Sequence, residues 1–423
     1  MKIAILTYGS QGDVEPFVAL GHALCSAGHQ VSLAGPEAYQ SRFDFNQIRF
    51  TPLPGDPSHL VQELVDQAGT SRIQMVLSMG KFVIPLAVQV FERSRAACQG
   101  ADLILHSFLL TGAGIGFGKE LGVPTISAQL FPVFCTTSAF PAPTFPDLPL
   151  GDGYRRLTHA LVSQIFKWGS RSLYRRVRRK NPQLPALTDW LPGDHSHHQT
   201  PILYGFSPHV VPKPADWGQH SHLTGYWILK NVDQQKPSRE LVDFLQAGPE
   251  PITIAFGSTQ SSKLGEIIDK IGTALSRCNQ RGVIVSEKVP PGQTSPDLFR
   301  VGYAPYDWLF QHSSAVIHHG GAGTTARGLR AGVPNIILPF TSDQPFWGRQ
   351  VHALGAGPAP IPANKTSVNA LTTAIDLAQT DTGIRSQAEK IGRRLREENG
   401  TQQALKLIEN YHKRFKIEDL GFQ

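Results

Sequence analysis

Two short stretches of this chain hold residues equipped for chemistry. The first is Gly9-Ser10-Gln11-Gly12-Asp13, directly after the apolar run Ile3–Leu6. A carboxylate at the tip of a glycine turn suits a general base that takes a proton from a bound hydroxyl. It equally suits a cap on a helix beginning near Glu15 or Pro16, with proline in the first turn. The second stretch is His318-His319-Gly320-Gly321-Ala322-Gly323-Thr324-Thr325, which follows Val316-Ile317. Glycines let backbone N–H groups come close to an anion, and a helix N-terminus behind them adds unpaired donors and positive dipole. Thr324 and Thr325 offer hydroxyls and a helix cap, while His318 or His319 offers a ring N–H. The set suits a diphosphate. Its spacing matches neither the G-x-G-x-x-G of dinucleotide sites nor a phosphate loop ending in G-K-[ST], so NAD and ATP are disfavoured. One strand later Asp343 and Gln344 stand side by side. Paired acceptors and donors of this kind suit the vicinal hydroxyls of a sugar, or a solvated loop cap.

The elements that must position these residues repeat one pattern. Apolar, β-branched runs alternate with amphipathic segments of helix length. Strands are expected at Ile3–Leu6, Gln30–Ala34, Leu103–Leu105 and Thr125–Leu130, with a helix from about Pro16 to Ala27. In the second half they are expected at Ile252–Phe256, Gly282–Ser286, Ala315–His318 and Asn335–Leu338, with helices at Leu264–Arg277 and Thr325–Ala331. The alternation predicts an α/β fold, a parallel sheet with helices on both faces, in each half. A chain of 423 residues exceeds one hydrophobic core. Two domains are therefore expected, 1–228 and 238–400, joined by a polar linker at 229–237. Residues 401–423 read as a C-terminal helix with an apolar stripe of Ala404, Leu405, Leu407 and Ile408, a candidate to pack back on the first domain.

A hydrophobic content of 40% and a charged content of 17% suit a soluble globular protein. The apolar runs fall short of the roughly 20 residues of a membrane span. The start lacks the features of a signal peptide, so a cytoplasmic location is expected. Cys25, Cys98, Cys135 and Cys278 show no metal spacing and read as reduced thiols. The net charge of +7 and pI of about 9.2 favour a phosphate-bearing ligand or an anionic surface. No recognition motif accompanies the charge, so nucleic acid is disfavoured. Residues 153–180 hold nine Lys/Arg and no acid, interleaved with Tyr154, Leu157, Leu161, Ile165, Phe166, Trp168, Leu173 and Tyr174. Such a helix suits peripheral contact with an anionic membrane, or a solvated face.

Four motifs carry a resemblance: GSQGDVEPFVALG, AFGST, YAPYDWLF and HHGGAGTT…AGVPNIILPFTSDQPFWG. Together they span most of the chain and resemble the family-1 glycosyltransferases of GT-B fold, in particular the sterol glucosyltransferases and the bacterial antibiotic and lipid glycosyltransferases. The resemblance implies two Rossmann-like domains facing each other across a cleft. It implies an inverting transfer of a sugar, glucose foremost, from a UDP-sugar co-substrate to the hydroxyl of a hydrophobic acceptor such as a sterol. No cofactor is implied, and no metal, in line with the lack of a DxD-type cluster near the phosphate motif. In this likeness Asp13 is the general base, where other members of the family carry a histidine. His106 stands where the partner that orients that base is expected. His318, Gly320, Gly321, Gly323, Thr324 and Thr325 look like the diphosphate cradle, with Gly12 and Ser258 added to the donor set. Tyr303 and Trp308 bound the segment that resembles the nucleobase holder, and Asp343 and Gln344 resemble the sugar-binding pair. The acceptor pocket is expected from Phe82–Leu86, Phe108–Ala113 and Phe131–Ala139. A monomer is favoured. The competing readings are a UDP-sugar epimerase of the same fold, a transferase for an antibiotic, flavonoid or lipid aglycone, and a non-catalytic homologue that activates a partner. The epimerase would not need Asp13 or an apolar acceptor face, and the homologue would have lost the phosphate cradle.

Overall fold

Strand β1 (Lys2–Leu6) lies inside a parallel sheet that also holds β2 (Gln30–Pro36), β3 (Ile48–Leu53), β4 (Leu103–His106), β5 (Thr125–Gln129), β6 (Ile202–Tyr204) and β7 (Ser221–Leu223). The structure is a computed structural model that describes residues 1–55, 84–182, 184–187, 190–192, 200–229, 237–257, 263–286 and 292–421. The strand order is β3-β2-β1-β4-β5-β6-β7, so the winding reverses between β1 and β4. Side-chain alternation along the strands assigns the two faces. Ile3, Ile5, Leu103 and Leu105 join Val14, Phe17 and Val18 of α1 (Gln11–Ser26) in one core. Ala4, Leu6 and Ile104 join the other core, with α2 (Ile84–Ala97), α3 (Thr111–Leu121) and the buried side of α4 (Gly151–Lys180). Strands covered on both faces must be apolar throughout, which is why β1 and β4 read as unbroken runs.

The second sheet contains β8 (Ile252–Ala255), β9 (Gly282–Val285), β10 (Gly292–Ser295), β11 (Leu298–Val301), β12 (Ala315–His318) and β13 (Asn335–Ile337). Its order is β10-β11-β9-β8-β12-β13, parallel except for the edge pair β10 and β11. Here the winding reverses between β8 and β12. The helices are α5 (Arg239–Gln246), α6 (Leu264–Arg277), α7 (Tyr306–Leu309), α8 (Ala322–Ala331), α9 (Gln344–Ala353), α10 (Val368–Thr380) and α11 (Thr382–Glu397).

The chain divides into two compact units. One comprises Met1–Phe206, Lys213–Val232 and Asn399–Gln423, the other Ser207–Pro212 and Asp233–Glu398. Ser207–Pro212 thus belongs to the second unit, although sequence reasoning puts the first domain's end at 228. The proposed linker lies outside the described residues from 230 to 236. The last helix, α12 (Gly400–Gly421), returns to the first unit. Its Ala404, Leu405 and Ile408 enter the core under α1, and His29 bonds Glu409 at 3.1 Å.

Candidate functional site

Open parallel sheets bind ligands at the carboxyl ends of their strands, where the winding reverses. In the second unit that point is the end of β8 and β12, and the glycine turn Gly320–Gly321 leaves it. His318 is the last residue of β12 and is fully buried. Its Nδ1 accepts the Gly320 N–H at 3.1 Å, so the ring proton sits on Nε2 and is donated to Asn335 Oδ1 at 3.0 Å. Burial pushes its pKa down to about 3, which keeps the ring neutral. Asn335 in turn donates to Val333 O at 2.7 Å. It fits because Gly328 has no side chain: a β-carbon there would lie 2.0 Å from Asn335 Oδ1. His318 is therefore an internal strut for the turn, which corrects its expected role as a phosphate donor: both ring nitrogens are spent on the fold.

The neighbouring His319 turns the other way. It is half-buried, and a β-carbon on Gly321 would meet its Nε2 at 2.4 Å. Its surroundings lower its pKa to about 4, mainly by desolvation. It is thus the histidine that overlies the turn as a neutral ring. Helix α8 starts at Ala322 with Gly321 as N-cap, three residues before the expected start at Thr325. The N–H groups of Ala322, Gly323 and Thr324 consequently have no acceptor within the helix. Thr324 and Thr325 sit in the first turn, not at the cap, and the Thr325 hydroxyl is buried without a hydrogen-bond partner. Arg327 leans back along α8, as helical side chains do, so that its Nη1 lies 3.7 Å from the β-position of Gly323. Asp307 steadies it at 3.7 Å.

Around this turn, Ser258 lies outside the described residues. Tyr303 follows β11 and is 38% exposed. Trp308 instead packs into the core beside Leu309 and against the His312 ring at 4.6 Å. That makes it a packing residue, while Tyr303 keeps part of its surface exposed. Asp343 accepts the Trp347 indole N–H at 2.7 Å, and burial raises its carboxyl pKa. Gln344 turns its amide oxygen back onto the N–H groups of Phe340 and Thr341, at 2.8 and 3.2 Å. Ser342, just before them, is held at φ +61°, a strained turn for a non-glycine residue.

In the first unit the reversal point is the end of β1 and β4. Asp13 stands three residues into the cap of α1. Its Oδ2 accepts the Ser10 N–H and the Ser10 hydroxyl, both at 2.8 Å. Gly9 allows this approach, for a β-carbon there would meet Asp13 Oδ2 at 2.4 Å. The helix starts at Gln11, one turn earlier than expected, with Pro16 inside it and Gly12 exposed. His106 does not reach Asp13. It shares the face of Ile104, away from α1, where its ring packs against Gly114 of α3. Both its ring nitrogens are buried without partners, and desolvation lowers its pKa to about 3. The proposed dyad is thereby excluded.

Residue His106 pairs with Leu6 across β4 and β1, so the Asp13 turn and the turn after β4 leave adjacent strands. That second turn carries Phe108, whose ring meets Phe131, Phe134 and Phe166 at 5.3, 5.5 and 4.9 Å. All four rings are half-buried, and Leu109 beside them is exposed. Phe134 adopts φ +71°, a backbone position that a bulky side chain rarely takes. Phe82 and Val83 of the expected acceptor segments lie outside the described residues. Among the described residues no group of three or more His, Cys, Asp or Glu is placed to hold a metal ion. Sequence reasoning offers His318 or His319 as the ring at the turn but assigns the cradle to His318, and it misses Asn335, Arg327 and Trp347. Only Arg327 carries a local signal, four residues after Gly323 on one helix.

Residues 3–138 match the glycosyltransferase family 28 N-terminal domain, and residues 280–405 match the erythromycin biosynthesis protein CIII-like C-terminal domain. The chain is 34% identical to an O-mycaminosyltylonolide 6-deoxyallosyltransferase of Streptomyces fradiae, over 97% of each chain. It is also 34% identical to a sterol 3-beta-glucosyltransferase of Arabidopsis thaliana, over 96% of this chain but 65% of the longer plant protein. The fold matches the kitacinnamycin glycosyltransferase with a TM-score of 0.72 at 21% identity, covering 97% of this chain and 98% of the other. A Streptomyces sp. glycosyltransferase in complex with thymidine diphosphate matches with a TM-score of 0.62 at 19% identity, covering 97% and 99%.

Proposed function

The chain belongs to the GT-B glycosyltransferases, the family of these sterol and macrolide transferases, and on that premise we propose that it moves glucose from UDP-glucose to the hydroxyl of a hydrophobic, sterol-like acceptor with inversion. The observation that carries the reading is the Asp13 carboxylate, oriented by Ser10, at the end of the strand adjacent to the one that presents the phenylalanine cluster. An apolar acceptor lies against the rings of Phe108, Phe131, Phe134 and Phe166. Asp13 takes the proton of its hydroxyl as that oxygen attacks the anomeric carbon from the side opposite the diphosphate. One displacement of this kind inverts the configuration.

The leaving diphosphate gains negative charge as the bond breaks. The N–H groups of Ala322, Gly323 and Thr324, the dipole of α8, the His319 ring and the Arg327 guanidinium are the groups that offset it. Preorganised donors act without a metal in this reading. Asp343 and Gln344 hold sugar hydroxyls with the atoms not already turned onto Trp347 and the loop, and Tyr303 covers the base. Gly12, exposed in the first turn of α1, belongs to the donor set in the same reading. A cytoplasmic monomer is the form in which we place this activity.

A second reading is favoured by the 97% mutual coverage with the Streptomyces fradiae transferase: a macrolide-like aglycone in place of the sterol, and a deoxysugar in place of glucose. Purified protein incubated with UDP-glucose or a TDP-sugar, against a sterol, a flavonoid and a macrolide, separates them by mass spectrometry. Transfer to the sterol from UDP-glucose, with a β-linked product from the α-linked donor by NMR, is expected. A retained configuration, or donor turnover with no acceptor consumed, overturns the proposal.

A further inference from the structure

Helix α4 is half embedded and half bare. Thr158, His159, Tyr174 and Val177 are buried on one side. On the other, Leu157 is 56% exposed, Leu161 42%, Ile165 66% and Trp168 77%. Spacings of four, four and three residues put these side chains on one stripe of the helix. The same face continues with Arg171, Ser172, Arg175, Arg176 and Arg179, which with Trp168 line a recess of about 290 Å³. Three of the helix's other cations are employed elsewhere: Arg155 pairs with Asp147, Arg156 with Asp216, and Arg178 donates to Leu184 O at 3.0 Å. The bare face is therefore apolar along its first half and cationic along its second. The helix holds nine Lys/Arg and one acid, Asp152.

We propose that this face docks on an anionic lipid bilayer. Leucine, isoleucine and tryptophan enter the boundary between headgroups and acyl chains, and the arginines take the lipid phosphates. The charge selects this occupant. A second copy of the chain would set the arginines against themselves. A nucleic acid would leave the aliphatic stripe in water. No helix among the described residues is long and apolar enough to cross a membrane, so the contact is peripheral. The inference deepens the proposed function and rests on it for its purpose: a sterol-like acceptor is met where it resides.

Co-sedimentation of the full chain with phosphatidylcholine vesicles, with and without phosphatidylglycerol, tests the docking apart from catalysis. Binding to the anionic vesicles should exceed binding to neutral ones by about tenfold or more, and should weaken as salt rises. A variant with Arg171, Arg175, Arg176 and Arg179 all changed to Gln should lose about tenfold. Leu161→Asp with Trp168→Ser should lose as much at low salt, where charge attraction alone would have been enough. Both variants alter exposed side chains, so they should melt like wild type and keep their turnover of a water-soluble acceptor. Wild type that ignores anionic vesicles overturns the proposal, as do variants that bind like wild type. Duplex DNA that binds the wild type and the Leu161→Asp, Trp168→Ser variant equally would assign the face to nucleic acid instead. Intact docking with no sterol glucosylated would sink the acceptor reading and leave the docking standing.

Discussion

A histidine whose two ring nitrogens are both used inside the fold has none left for a ligand. His318 gives Nδ1 to Gly320 and Nε2 to Asn335, while His319 overlies the turn. His319→Ala should therefore weaken UDP binding about ten- to a hundredfold, the value of one strong hydrogen bond, with little change in stability. His318→Ala should instead cost about 2–4 kcal/mol of stability, from a cavity and two stranded partners. Calorimetry and urea unfolding separate the two, and the opposite pattern would return the phosphate contact to His318. Asp343→Ala should reduce UDP-glucose turnover far more than UDP affinity, and Trp347→Phe should do the same to a lesser degree by removing the N–H that holds the carboxylate. Equal losses of turnover and UDP affinity would make Asp343 structural. The buried rings also set a pH dependence. His106 and His318 have pKa values of about 3 in the fold, against an ordinary 6.5. The unfolded chain binds those protons first, so stability is complete above 6.5 and falls as pH drops toward 3. The slope is up to about 1.4 kcal/mol per pH unit for each ring. Urea midpoints across that range should show it, and His106→Gln should flatten it. Sequence reasoning sets His106 beside Asp13 because the face of β4 that α1 covers cannot be read locally; that His106 shares a side with Ile104, counting by twos, was legible. Which of two adjacent histidines turns inward was not. That depends on Asn335, seventeen positions away, and on the register of β12 with β13.

Elements began where their caps allowed. Leu264–Arg277 and Ala315–His318 stand as their apolar periodicity dictates. Helices α1 and α8 start earlier because Ser10 and Gly321, upstream of the residues that read as starts, are the N-caps. Pro16 marks no first turn here, and a glycine cap offers no side-chain signal. Asp13 thus sits in the cap of α1 and, in the proposed reading, is also the base, and substitution can divide these two duties. Ser10→Ala removes the hydroxyl that holds the carboxylate and should cost about 0.5–2 kcal/mol, as lost caps do. Asp13→Asn keeps the size and much of the capping capacity, so folding and UDP affinity should survive. Transfer to an alcohol should drop by on the order of 10²–10⁴, the contribution of a positioned base. An acidic thiophenol, already ionised, should lose far less. The measurement is kcat/KM for both acceptors. Near wild-type rates on the alcohol would leave Asp13 as a cap alone, and equal losses on both would make it a positioning group.

At the scale of the whole molecule, α12 belongs to a core built some four hundred residues earlier. Its apolar stripe was plain in the sequence, and so was its return to the first domain; the residues of α1 that receive it were not, because contacts so distant leave no trace in local pattern. Ile408→Ala should destabilise the first unit by about 2–5 kcal/mol, as expected for a fully buried side chain. UDP binding, a property of the second unit in the proposed reading, should hold at temperatures where the first unit has begun to melt. Loss of both together would mean that the units unfold as one. The placement of α12 also bears on biosynthesis. As the nascent chain leaves the ribosome, every strand of the second unit emerges before α12 does. The inserted unit can fold co-translationally, while the apolar flank of α1 stays bare until Ala404–Ile408 have left the ribosome. For that interval the growing polypeptide exposes the hydrocarbon that a chaperone grips, and nascent chains held with α12 inside or outside the ribosomal exit tunnel should differ in protease sensitivity in the N-terminal half alone.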